Sequence, residues 1–119
     1  MVIFLAQLGE FKAATSELVV QEVERFFRRE VSREAGYLAV RFVESLTQIV
    51  PREQLATEMT QFKGRIKDRD LENLAVVKHE SLKHLVSYDD DYRKARVREY
   101  ITPRSFVRLF DLDPYRSEY

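Results

Sequence analysis

The sequence predicts an α/β domain with a parallel sheet covered by helices on both faces. Two observations lead there. Short apolar runs of strand length alternate with longer stretches whose apolar residues recur at helical spacing, an alternation that builds parallel sheets. At 119 residues, 45% of them hydrophobic, the chain is long enough for one substantial core and too short for two. No repeat, low-complexity run or Pro/Gly/Ser-rich linker interrupts it, so residues 1–119 read as a single domain.

The first element is a short apolar run over residues 11–15, ending at Ser16, whose hydroxyl is placed to cap a helix over residues 17–29. In that helix Val19, Val23, Phe26 and Phe27 fall at i, i+4, i+7 and i+8, the pattern of a core-facing stripe, and Glu22 projects into the same arc. A second helix, residues 33–48, carries Leu38, Ala39, Phe42, Leu46 and Ile49 on one side and stops as the chain nears Pro51. Residues 51–62 form a third amphipathic stretch with Leu55, Met59 and Phe62 inward, and Pro51 suits its first turn. Residues 70–80 form a fourth, with Leu71, Leu74, Ala75 and Val77 or Lys78 around the inner edge. Residues 83–87 and 98–102 read as short strands, and Pro103 starts a last helix through Phe106, Leu109 and Phe110.

Charge and composition exclude several functions. Twenty Lys plus Arg balance twenty Asp plus Glu, so any nucleic-acid site is a local patch and not a whole-surface polycation. The absence of cysteine removes a disulfide framework, a thiolate zinc site and a cysteine nucleophile. Residues 1–6 are apolar but far too short to span a membrane, and they lack the features of a signal peptide. The expectation is a soluble, cytoplasmic protein without membrane association. His79 and His84 lack metal spacing with each other, and no phosphate-cradling glycine loop or Ser/His/Asp arrangement is present.

Carboxylates are the informative chemistry. Asp70 opens a helix after Lys67-Asp68-Arg69, and Leu85-Val86-Ser87-Tyr88-Asp89-Asp90-Asp91 carries three aspartates just past a strand. In parallel α/β folds such positions converge on the carboxyl edge of the sheet. Hydrolysis of a phosphodiester requires an activated water and neutralised phosphate charge, and a divalent metal on hard oxygen ligands supplies both. Each acid also has a plain structural role: Glu22 can reach Arg25 or Arg29, Asp70 can serve the start of its helix, and Asp89, Asp90 and Asp91 can form a solvated turn that caps a short helix. Lys63, Arg65, Lys67 and Arg69 precede Asp70, and Arg93, Lys94, Arg96 and Arg98 follow Asp91. These basic residues can hold RNA phosphates or simply balance neighbouring acids. Tyr88 and Tyr92 can stack on an unpaired base or pack at the strand end.

Four segments carry a resemblance to a known family. They are Gly9-Glu10-Phe11-Lys12 through Thr15-Ser16-Glu17-Leu18-Val19-Val20-Gln21-Glu22-Val23; Asp68-Arg69-Asp70-Leu71-Glu72-Asn73-Leu74-Ala75; Leu85-Val86-Ser87-Tyr88-Asp89-Asp90-Asp91-Tyr92; and Tyr100-Ile101-Thr102-Pro103-Arg104-Ser105-Phe106. In this order the chain resembles the PIN-domain ribonucleases, which include toxins of toxin/antitoxin pairs. The resemblance implies a three-layer α/β/α sandwich with a parallel sheet and a carboxylate pocket for Mg²⁺ or Mn²⁺. Glu22, Asp70 and Asp89 match the family's metal ligands, Asp91 its frequent second aspartate, and Ser87 the hydroxyl residue before that motif. Arg69, Arg93, Lys94 and Ser87 would then meet RNA. Tyr88 stands where the family usually has glycine.

One family feature has no counterpart in the sequence. The first strand and its terminal aspartate should precede a helix whose tail looks like residues 1–8; if Val2 to Leu5 instead form that strand, Ala6 occupies the acid's position. The resemblance places this strand mid-sheet, so its loss is expected to leave two open strand edges. Residues 1–6 sliding in, a strand from a second copy, or an upstream start would each fill the gap. The expectation is a homodimer, with RNA as substrate and an antitoxin-like protein as a further partner. The alternative function is a non-catalytic PIN-like interaction module.

Overall fold

The computed structural model describes residues 11–109. Strand β1 (Ala14–Ser16) runs into helix α1 (Glu17–Glu30), followed by α2 (Arg33–Leu46) and β2 (Gln48–Val50). A 3-10 turn (Arg52–Leu55) leads to α3 (Ala56–Phe62), then α4 (Asp68–His79) and β3 (Leu85–Val86). The short α5 (Asp91–Lys94), β4 (Tyr100–Ile101) and α6 (Pro103–Arg108) complete the described chain. Among these residues no helix is long and apolar enough to cross a membrane. The expectations for residues 1–8 and Phe110 fall outside the described residues.

Local chemistry explains the boundaries. Ser16 is extended and its hydroxyl accepts the Val19 N–H at 3.2 Å, as its position before α1 predicts. Ser32 caps α2 through the Ala35 N–H at 3.0 Å, and Thr102 caps α6 with Pro103 in the first turn. Helix α4 has no side-chain cap, but Asp68 and Asp70 lie in its first turn, where the helix dipole favours negative charge. At its other end Ser81 takes a left-handed φ of 52°. The Leu82 N–H then reaches the Val77 carbonyl at 2.9 Å, and the chain reverses toward β3.

Strand pairing is parallel, as expected, but the sheet is not continuous. β1 pairs with β2 in the register Ala14 to Gln48, and β3 pairs with β4 in the register Leu85 to Tyr100. Among the described residues these are two separate two-stranded sheets, with β1 and β3 each paired on one side only. Strand β2 lies where the sequence reading had a helix end and the approach to Pro51. It is only three residues long, too short to show an alternation that separates it from the tail of α2.

The core gathers around α4. Leu71, Leu74 and Val77 pack with Ile66, Leu85 and Tyr92, while Ala75 and Val76 pack with Val50 and Leu55. The inner edge predicted for this helix is therefore buried, and burial extends to Asp70, Glu72 and Val76. The stripes of the first two helices are corrected. No residue of α1 is buried, Phe26 is 51% exposed, and on α2 Leu38 and Phe42 are 63% and 45% exposed. The two helices pack mainly on each other, and periodicity cannot say which side a helical pair presents to the rest of the protein. They approach closely at Gly36, where an added Cβ would lie 3.1 Å from the Glu24 carbonyl oxygen.

Candidate metal centre

Three carboxylates meet beside the start of α4. Asp70, Asp89 and Asp91 each present a ligand atom within 4.8 Å of the others. Helix α4 supplies Asp70 from its third residue, the loop after β3 supplies Asp89, and the first residue of α5 is Asp91. That loop is shaped by its own side chains: the Asp89 N–H donates to Ser87 Oγ at 3.0 Å, and the Asp91 N–H donates to Asp89 Oδ1 at 2.9 Å. Two successive short-range bonds of this kind turn the chain sharply and start α5 at Asp91.

The three acids are not equivalent. Asp70 is only 5% exposed, and its Oδ2 is buried without a hydrogen-bond partner. Burial, together with the neighbouring Asp89 charge, pushes its carboxyl above the ordinary aspartate range. Asp91 goes the other way, because Lys67 at 3.0 Å and Arg69 at 3.1 Å hold its carboxylate in the charged form. An unpaired buried carboxylate oxygen costs stability unless something positive reaches it. The donors are hard oxygens in a group of three, a set that fits Mg²⁺ or Mn²⁺ better than a soft metal.

The remaining predicted residues distribute unevenly. Glu22 lines the same cleft from α1 but is exposed and stands outside the group of three. Ser87 lines the cleft and accepts the Asp89 N–H, so its hydroxyl shapes the loop. Arg69 lies at the cleft but is paired with Asp91. Arg93 pairs with Asp90 at 3.1 Å and lies over the Tyr100 ring, and Lys94 is exposed on α5; neither lines the cleft. Tyr88 is 81% exposed. Tyr92 is not available for base stacking: it is 2% exposed and accepts a hydrogen bond from Asn73 Nδ2 at 3.2 Å, and burial pushes its phenol up to about 12.

Two residues that the sequence reading left without a role organise this region. Asn73, one turn after Asp70 on α4, also accepts the Ser16 hydroxyl, tying the end of β1 to α5 through Tyr92. The signal for it was the i, i+3 spacing from Asp70. Glu72 is buried and accepts the Leu18 N–H at 3.0 Å and Arg52 Nε at 2.7 Å, so it fixes the start of α1 against α4. Compared with protein-family models, curated proteins and solved structures, the chain matches none.

Proposed function

We propose that this protein is a PIN-like endoribonuclease that hydrolyses RNA phosphodiester bonds with Mg²⁺ or Mn²⁺. The observation that carries the reading is the buried, partnerless Asp70 Oδ2 beside Asp89 and Asp91. Parallel strands and covering helices are compatible with the three-layer α/β/α sandwich that the resemblance implies. Asp70, Asp89 and Asp91 would hold the ion, and Glu22 lines the same cleft. When bound, the ion would supply charge neutralisation for the scissile phosphate and acidify water. Ser87 and Asp89 keep the loop in the shape that aims its acids. Arg69 and Lys67, engaged with Asp91 beside the three acids, are the cations that would meet RNA phosphates there. The setting proposed for this activity is the cytoplasm.

Calorimetric titration with Mn²⁺ tests the site. A saturable heat that disappears in Asp70→Asn supports it, and identical titrations of the two proteins refute it.

One observation favours a second reading, a non-catalytic interaction module. Phe26, Phe27, Tyr37, Leu38 and Phe42 are exposed on α1 and α2, and exposed apolar groups of this size mark protein-binding surfaces. An antitoxin-like protein is the corresponding partner. Metal-independent binding with no RNA cleavage would favour this reading.

A further inference from the structure

Between β1 and β3 lies a cleft of about 1080 Å³, larger than the roughly 300–1,000 Å³ of common small-molecule pockets. Its two sides are strand edges, since β1 and β3 pair only with β2 and β4 among the described residues. Its other walls carry Val19 from α1, Val76 and Val77 from α4, and Phe106 from α6, and they turn polar toward Glu22, Asp70 and Asn73. Open strand edges carry backbone donors and acceptors that need partners, and a single extended segment between them satisfies both.

The direction of that segment follows from where the strands end. Ser16 closes β1 against Asn73, and the loop after β3 brings Asp89 to Asp70, one turn earlier on the same helix. Both strands therefore point their carboxyl ends at the start of α4 and run in the same sense. A segment parallel to both gives one continuous parallel sheet. Side chains that meet Val19, Val76, Val77 and Phe106 should be apolar, and a strand buried in the middle of a parallel sheet is a continuous apolar run and not an alternating one.

Val2-Ile3-Phe4-Leu5 is such a run. It lies a few residues ahead of Phe11, which itself lines the cleft. Parallel entry into its own cleft needs a crossover of a dozen or more residues, and residues 6–13 are too few. A second copy has no such constraint. We infer that the cleft is a strand-acceptor site filled by residues 2–5 of a second copy, in parallel and reciprocally, so that two chains complete each other's sheets with two-fold symmetry.

The cysteine-free sequence makes the test direct. Phe4→Cys protein is mixed with Ala14→Cys protein and treated with a short thiol cross-linker, and light scattering follows the unmodified chain at micromolar concentration. The expected results are a dimer and a covalent heterodimer as the main product of the mixture. Phe4→Asp should shift the protein to monomer. A monomeric unmodified chain overturns the inference. So does a dimer without the heterodimeric cross-link, or a Phe4→Cys/Ala14→Cys protein that closes within one chain. Neither RNA nor metal enters the experiment, so its failure leaves the nuclease reading standing.

Discussion

Asp70 and Asp91 offer carboxylate oxygens within 4.8 Å of each other, yet their environments push their proton affinities in opposite directions. Asp91 is held charged by Lys67 and Arg69, whereas Asp70 is buried with one oxygen partnerless. A pair tuned apart in this way is common where charge is managed for function.

The first consequence is for stability without metal. Asp70→Asn removes a charge that burial and Asp89 both disfavour, and the amide retains a polar group for the same space. The variant should be more stable than the parent by about 1 kcal/mol in EDTA, a few degrees in Tm. Thermal melts of the two proteins in EDTA check this; a less stable variant would contradict it.

The same group sets a pH dependence. Because the folded Asp70 carboxyl titrates above its unfolded value, the unfolded chain releases this proton first as pH rises. Its contribution therefore favours the fold at low pH and is lost between the unfolded value and the raised folded one. The advantage of Asp70→Asn over the parent should grow as pH rises through that window and then stay constant. Asp91, whose value is lowered, works in the opposite sense, and Asp91→Asn should lose its stability deficit as pH falls through the lowered folded value. Denaturant titrations at several pH values measure both.

Glu72 gives a prediction independent of metal. Its buried carboxylate joins the start of α1 to Arg52, so Glu72→Ala leaves the Leu18 N–H and the guanidinium without that partner. A loss of about 3 kcal/mol is expected, against a smaller one for Arg52→Ala, whose side chain is half exposed. Equal costs in urea unfolding would show that the ion pair, and not the helix start, carries the effect.

Gly36 tests the packing of α1 on α2. An alanine there gains helix propensity of about 1 kcal/mol, but its Cβ would stand 3.1 Å from the Glu24 carbonyl oxygen and 3.2 Å from Arg28 Cβ. Backbone must move, so Gly36→Ala should be destabilising by about 1 kcal/mol net. A more stable variant would mean that the helical pair opens freely.

Helix α4 was the most legible element, because its apolar residues face inward nearly all round and no other packing competes with its period. The capping role of Ser16 was equally plain, since an N-cap acts within one turn. The faces of α1 and α2 were not, because Phe26, Phe27, Leu38 and Phe42 obey helical spacing and still lie exposed. At the site, Asp70 and Asp89 were legible from their places at a helix start and a strand end. The closeness of Asp91 to Asp70 depends on the Ser87 and Asp89 turn, and Asn73 and Glu72 reach Ser16 and Leu18, 57 and 54 residues away, besides Tyr92 and Arg52 at 19 and 20. Contacts that distant leave no local pattern.

Cleavage of single-stranded RNA with Mn²⁺, compared between the parent and Asp70→Asn, tests the nuclease site directly. EDTA should abolish cleavage, and Asp70→Asn should lower it on the order of a hundredfold, because the ion would no longer be positioned by Asp70. Cleavage that persists in EDTA, or that is unchanged in Asp70→Asn, would contradict it.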